Sequence, residues 1–145
     1  MEAKQFLNQY REAQASIKNL EEQKTELENA AVSTAIITDG ERVQSSQRID
    51  RVANMAVKIA DVDRLLIEWK LWALQVMRDI SNVILQIGDP GMKEVLHLRY
   101  IQCKTWEGIA EEMGLSYRWV HRLADRALLE VNRILVQCFG NSERY

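Results

Sequence analysis

The chain has 145 residues, of which 47% are apolar, and it contains only six glycines and one proline. This composition excludes a disordered chain and a fold of many short strands, and the scarcity of helix breakers favours long helices. The formal net charge is −2, so binding of nucleic acid has to be argued from a local surface and not from the total charge.

The first predicted element is a long helix over about residues 2–37. Its seam residues recur at alternating steps of four and three, which is the spacing of a coiled coil, and Lys24 is the polar exception among them. Residues 1–10 lack the apolar run of a signal peptide, and no apolar stretch reaches membrane-spanning length, so we expect a cytoplasmic protein outside the membrane. The seam consists of Phe6, Tyr10, Ala13, Ile17, Leu20, Lys24, Leu27 and Ala31.

A loop is predicted over residues 38–47, because Gly40 and a serine pair interrupt the pattern. A second helix follows over about residues 47–88 and would be about 60 Å long. Two such helices joined by a short loop should form an antiparallel hairpin, which defines a first domain over residues 1–88. The second seam consists of Val52, Met55, Ile59, Val62, Leu66, Trp69, Ala73, Val76, Ile80, Val83 and Ile87.

The second helix carries more apolar residues than one partner helix can cover. Two explanations remain open: the C-terminal domain docks on this surplus, or the surplus forms a homodimer interface. The surplus residues are Leu65, Leu71, Trp72, Leu74 and Ile84.

A second domain is predicted over residues 89–145, after the boundary Gly88-Asp-Pro-Gly91. Asp89 can cap a helix that runs to Ile101, and Thr105 then caps a short helix from Trp106 to Met113. Gly114 and Leu115 form a turn, and Ser116 caps a last helix from Tyr117 to about Gln137. A short helix, a turn and a second capped helix make a helix-turn-helix, with Ile109, Ala110, Met113, Leu115, Val120, Leu123 and Ala127 facing inward.

The outward face of the last helix suits the major groove of double-stranded DNA. Arginine pairs bidentately with guanine, tyrosine and histidine donate to bases or phosphates, and the first residues of a recognition helix reach the base edges. The amides at the start of the preceding helix can hold a phosphate. The predicted DNA-binding residues are Thr105, Ser116, Tyr117, Arg118, His121, Arg122 and Arg126.

The segment Val95-Leu-His-Leu-Arg-Tyr-Ile101 followed by Lys104-Thr-Trp-Glu-Gly-Ile-Ala-Glu-Glu-Met-Gly resembles region four of the sigma-70 factors. With Ser116-Tyr-Arg-Trp-Val-His-Arg-Leu, it is more closely similar to phage and prophage regulators, the ArpU/RinA-type late transcription activators. The opening Phe-Leu-Asn-Gln-Tyr-Arg-Glu-Ala and the Gly40 loop extend the resemblance over nearly the whole chain. The resemblance implies a DNA-binding transcription regulator that contacts RNA polymerase.

Other classes of function have less support in the sequence. No phosphate-binding loop, nucleophile elbow or catalytic constellation is present, and Cys103 and Cys138 form no zinc-like pattern with His97 and His121, so we expect no enzyme, metal or cofactor. Three alternatives stay open. The helix-turn-helix could be a protein-interaction module, the chain could be an assembly protein such as a small terminase-like packaging subunit, or it could be a helical scaffold without a DNA role.

Overall fold

A computed structural model describes residues 1–36 and 45–140, and all regular structure in these ranges is helical. The predicted all-α class, with two long helices before a group of short ones, is confirmed. None of the described helices has an apolar stretch that could cross a membrane. The elements are α1 (Ala3–Ile36), α2 (Ser45–Leu85), α3 (Pro90–Leu96), a π-helical turn (His97–Ile101), α4 (Trp106–Met113) and α5 (Tyr117–Phe139).

The ends of α2 differ from the prediction. The helix begins at Ser45 and not at 47, because the serine pair, interpreted as a break, lies in its first turn. It ends at Leu85 and not at 88: the amides of Gln86 and Ile87 bond to carbonyls three residues back, and Asp89 before Pro90 adopts an extended backbone (φ −80°, ψ 120°). The rest of the predicted loop, residues 38–44, lies outside the described residues.

The chain packs as two units, and the first of them is Ala13–Trp72. Its two helical segments run antiparallel, as predicted, because Lys24 Nζ lies 2.7 Å from Asp63 Oδ1 and Lys70 Nζ lies 3.5 Å from Glu21 Oε1. The hydrogen bond to Asp63 and the charge of that carboxylate raise the pKa of the Lys24 ammonium group. Lys24, the polar residue of the first seam, therefore joins the two helices through an ion pair with Asp63.

Burial in the unit Ala13–Trp72 is shallow. Among the described residues of this unit, Ala13, Ile17 and Leu66 are the buried apolar ones, while the other seam residues are partly exposed. Several large apolar side chains of α2 face outward, including three members of the predicted surplus. The exposed side chains are Ile49, Val57, Leu65, Ile67, Leu71 and Trp72.

The second unit comprises Met1–Glu12 and the chain from Ala73 onward. The start of α1 is tied to α5 because the Ala3 amide donates to Asn132 Oδ1 at 2.8 Å. Ile84, predicted to be surplus, is buried in the core of this unit and offers no free surface. The predicted boundary at residue 89 stays a prediction. The core consists of Ala3, Phe6, Leu7, Val76, Ile80, Val83, Ile84, Ile87, Met92, Val95, Leu96, Leu98, Tyr100, Ile109, Val120, Ala124, Ala127, Val131, Ile134 and Leu135.

Candidate nucleic-acid interface

Three side-chain caps and one left-handed glycine fix the ends of the short helices. Asp89 Oδ1 accepts from the Met92 amide at 3.0 Å, Thr105 Oγ1 from the Gly108 amide at 3.1 Å, and Ser116 Oγ from the Trp119 amide at 3.2 Å. Each cap satisfies an amide that has no partner within its own helix. Gly114 ends α4 at φ 65°, a conformation that favours glycine, and its amide bonds back to Glu111.

α4 and α5 share an apolar interior across this turn. Ile109 and Val120 are completely buried and Ala127 is as well, which confirms their predicted inward orientation. Ala110, Met113, Leu115 and Leu123 are partly buried against the same core. Ala124 is also buried, although it was not among the residues predicted to face inward. It lies four residues after Val120 and three before Ala127, so it shares their side of the helix.

The outward face of α5 presents free positive charge. Arg118, Arg122 and Arg126 are exposed, and none of the three forms an ion pair with any residue of the described chain. Asp125, which could have competed for Arg122, is exposed but likewise unpaired within that part. Further along the helix, Arg133 Nε instead lies 2.8 Å from Glu130 Oε2. The basic charge is therefore available at the start of α5 and partly neutralised towards its end.

Thr105 and Ser116 lie at the two helix starts, where their hydroxyl oxygens already accept backbone hydrogen bonds. Both residues are exposed. The first amides of a helix point outward and carry the positive end of its dipole. The two residues therefore belong to positions that can hold an anion, with their side chains acting first as caps.

His121 is placed differently from the arginines. Its ring centroid lies 4.5 Å from that of Trp106 and 4.4 Å from that of Tyr117. Its Nε2 atom is buried and has no hydrogen-bond partner among the described residues. Tyr117 itself is 49% exposed. The structure thus puts Tyr117 on the surface and His121 partly beneath it.

The loop before α4 is held by Arg99, which was not among the predicted site residues. Its Nη1 donates to the Lys104 carbonyl at 2.8 Å, and its guanidinium lies 4.5 Å from the Trp106 ring centroid. Partial burial lowers the pKa of Arg99, and the charge of Arg11 lowers it further, although an arginine stays charged at neutral pH. Trp106 was predicted only as a helix start. The spacing of Tyr117 and His121, four apart on one helix, was the available sign of an aromatic cluster.

The π-helical turn brings Arg99 to this position. Leu98 and Tyr100 on either side of it are buried, so the turn is anchored in the core. The Lys104 amide donates to the Leu98 carbonyl at 3.0 Å, and Cys103 between them has a left-handed backbone with φ 56°. Burial raises the pKa of both the Tyr100 phenol and the Cys103 thiol.

Comparison with known proteins identifies this segment. The family model of sigma-70, region 4, matches residues 89–133, which contain α3, the π-helical turn, α4 and most of α5. No curated protein and no solved structure matches the chain. Residues 89–133 are therefore a DNA-binding helix-turn-helix domain of the sigma-70 region 4 type. The match does not extend to the N-terminal segments that were included in the predicted resemblance.

Proposed function

We propose that this protein is a transcription regulator of the phage and prophage type, which binds promoter DNA by placing the start of α5 in the major groove. The observation that carries the proposal is that two features occur in the same region of the chain. The region matching sigma-70, region 4, contains the helix-turn-helix, and the exposed face of its second helix bears three arginines without ion-pair partners among the described residues. The proposal assigns the protein no catalytic activity and no cofactor, and it places the protein in the cytoplasm.

Arg118 and Arg122 are the proposed readers of base edges. They lie four residues apart in the first two turns of α5, so they share one face and enter the groove together. A guanidinium offers two parallel donors that match guanine O6 and N7. Tyr117 and Ser116, at the very start of the helix, lie beside them and reach a base or the adjoining phosphate.

Thr105 and Arg126 are the proposed phosphate contacts. Thr105 precedes α4, whose first amides and dipole favour an anion. Arg126 lies one turn beyond Arg122, towards the flank of the helix. It is too far along α5 to reach base edges in the major groove. Contacts of this kind fix the orientation of the protein on DNA and add affinity without sequence preference.

The experiment begins with selection of bound duplexes from a random DNA pool, which gives the preferred site. Arg118→Ala and Arg122→Ala are then measured on that site and on single-base variants of it. We expect each to lose about 1–3 kcal/mol at one base pair and to relax the preference there. Arg133→Ala is the matched control, because Arg133 is on the same helix but is paired with Glu130. If both variants bind as well as the parent at physiological salt, α5 is not the reader and a protein-interaction module replaces this proposal.

Arg126→Ala separates a phosphate contact from a base contact. We expect it to weaken all duplexes alike and to reduce the slope of log affinity against log salt by about one. Titrations at several salt concentrations, on the selected site and on an unrelated duplex, measure both quantities. A loss confined to the selected site would assign Arg126 to base reading instead.

The proposal includes a homodimer formed by the long helices and a contact with RNA polymerase. The exposed apolar side chains Leu65, Leu71 and Trp72 on α2 support the dimer, because surface of this kind usually marks an interface. Light scattering at high micromolar concentration should give twice the chain mass, and a monomer would remove the dimer from the proposal. Co-purification of the full chain with RNA polymerase tests the second contact, and a chain that does not retain the polymerase would remove that contact from the proposal.

The same exposed α2 side chains favour one second candidate, a DNA-binding assembly protein such as a small terminase-like packaging subunit. That class also combines a helix-turn-helix with helical oligomerisation. The stoichiometry from light scattering distinguishes the two candidates, because a ring of many subunits favours packaging, whereas a monomer or a dimer favours regulation.

A further inference from the structure

Four side chains form a continuous series of contacts from the π-helical turn to the start of α5. The Arg99 guanidinium lies 4.5 Å from the Trp106 ring centroid, Trp106 lies 4.5 Å from His121, and His121 lies 4.4 Å from Tyr117. Arg99 is itself fixed by its hydrogen bond to the Lys104 carbonyl. Cation–π and tilted aromatic contacts at such distances are each favourable beyond the area they bury.

The surface exposure of the members of this series differs in a consistent way. Arg99, Trp106 and His121 are partly buried, whereas Tyr117 at the end of the series is exposed. The His121 Nε2 atom is inaccessible to solvent and lacks a hydrogen-bond partner in the described part of the chain. That nitrogen is therefore not presented to DNA, although a histidine on a recognition helix is an obvious candidate for a DNA contact.

We infer that His121 is a positioning residue for Tyr117, and that it acts through the contact of its ring and not through a hydrogen bond to DNA. The inference rests on the proposed function, in which Tyr117 contacts the DNA. A free tyrosine side chain on a helix start samples several rotamers, and binding DNA would have to select one of them. His121, held by Trp106 and Arg99, restricts Tyr117 before DNA arrives, which lowers the entropy lost on binding.

Three substitutions at one position separate a ring contact from a polar contact. His121→Ala removes both, His121→Phe keeps a ring without a nitrogen, and His121→Gln keeps a polar donor without a ring. A positioning role predicts that Ala and Gln both weaken binding to the selected DNA about two- to tenfold, which is the size of one aromatic contact, and that Phe restores it. A direct DNA contact predicts instead that Gln retains binding and that Phe loses as much as Ala.

A double-mutant cycle shows whether the effect passes through Tyr117. We expect Tyr117→Ala to weaken binding, and we expect His121→Ala to cause less than about a twofold further loss in that background, because its target is gone. Thermal midpoints of all variants, measured without DNA, give the folding control. Equal losses from His121→Ala with and without Tyr117 would mean a general structural role and would overturn the inference, as would wild-type binding by Tyr117→Ala.

The Arg118→Ala and Arg122→Ala variants distinguish failure of this inference from failure of the proposed function. If those two bind like the parent, the proposed function fails and the inference fails with it. If they lose affinity while His121→Phe does not rescue, only the positioning role is wrong. If His121→Ala is too unstable to assay, the comparison of His121→Gln with His121→Phe decides the same question.

Discussion

The seam residues of α2 keep the same heptad spacing along the helix, but their side chains are buried to different depths in its two parts. In the part from Ala73 onward, the seam residues Ala73, Val76, Ile80 and Val83 are all buried. In the part before it, Leu66 is the one seam residue of α2 that is buried. The spacing therefore predicts which side of the helix turns inward. The depth of burial depends on how many elements lie opposite, because a single facing helix covers only a narrow stripe.

The difference extends to the whole of each unit. The core of the second unit draws on all five α-helices and on the π-helical turn, and its most buried residues include Leu96 and Ile109. The unit Ala13–Trp72 is a two-helix pair joined in part by exposed ion pairs, which contribute little to stability. We therefore expect substitutions in the second unit to dominate the stability of the chain.

The largest expected effect is the difference in stability between substituting a buried leucine of the second unit and substituting an exposed leucine of the unit Ala13–Trp72. Leu96 is 0% exposed and Leu71 is 62% exposed. We expect Leu96→Ala to lower the free energy of unfolding by about 2–5 kcal/mol, because it removes buried methyl groups and leaves a cavity. At a protein concentration low enough to dissociate the proposed dimer, Leu71→Ala should change it by less than about 0.5 kcal/mol, because Leu71 is then exposed. Chemical denaturation followed by circular dichroism measures both.

The expected difference between the two units would be contradicted if Leu71→Ala lowered the free energy of unfolding as much as Leu96→Ala does. That result would mean that a second chain still covers Leu71 at that concentration. Repeating the denaturation at several protein concentrations then identifies the cause, because the stability of a dimer depends on concentration and that of a monomer does not.

A smaller effect is expected at Gly114, where the turn depends on backbone conformation and not on burial. An alanine at Gly114 would meet no atom within 4 Å, but it would have to adopt φ +65°. We expect Gly114→Ala to cost about 1–2 kcal/mol, because an L side chain disfavours that conformation. Gly88→Ala is the matched control, since Gly88 has equal space and no positive φ, and it should be close to neutral. Equal stability of the two variants would show that the turn between α4 and α5 can relax.

A weaker effect should follow from breaking an ion pair in the unit Ala13–Trp72. Lys70 and Glu21 are more than half exposed and join the two helical segments. We expect Lys70→Gln to cost about 0–1 kcal/mol at low salt and less at high salt, because exposed pairs are screened. Lys58→Gln, on the same helix and without an ion pair among the described residues, is the control. A loss that does not diminish with salt would contradict the assignment of this pair to the solvated surface.

The smallest effect appears only in alkaline solution and belongs to the second unit. Burial raises the pKa of Tyr100 above its ordinary value of 10.0. The folded chain therefore keeps the phenol proton at a pH where the unfolded chain has begun to lose it. The corresponding stability is complete below about pH 10 and is lost as the pH rises towards the folded pKa. Unfolding curves at increasing pH should show this loss in the parent and less of it in Tyr100→Phe, and identical curves would refute it.

Local signals predicted the fold most accurately. The caps at Asp89, Thr105 and Ser116 and the turn at Gly114 fall at the predicted residues, because each depends only on a few neighbouring atoms. The end of α2 was predicted three residues too late, because the apolar pattern continues to Ile87 after the helix has ended. Burial and helical conformation are separate properties at that point.

Features that depend on distant residues were not predicted. Ile84 was interpreted as surplus because the sequence does not show that it packs into the core of the second unit. The π-helical turn and the contact of Arg99 with Trp106 likewise require the tertiary position of the loop before α4. At the site, Arg118, Arg122 and Arg126 are exposed, and their contacts with DNA stay predictions.

The continuity of α5 has a consequence for changing what the protein binds. Its exposed arginines Arg118 and Arg122 precede the buried residues Val131, Ile134 and Leu135, which belong to the second half of the same 23-residue helix. The exposed residues of the first two turns can thus be substituted while Val120 and Ala124 are retained. The buried second half of α5 still holds the helix in the core. Under the proposed function, a library randomised at the outward positions of these two turns would change the DNA sequence that is bound while the core stays the same.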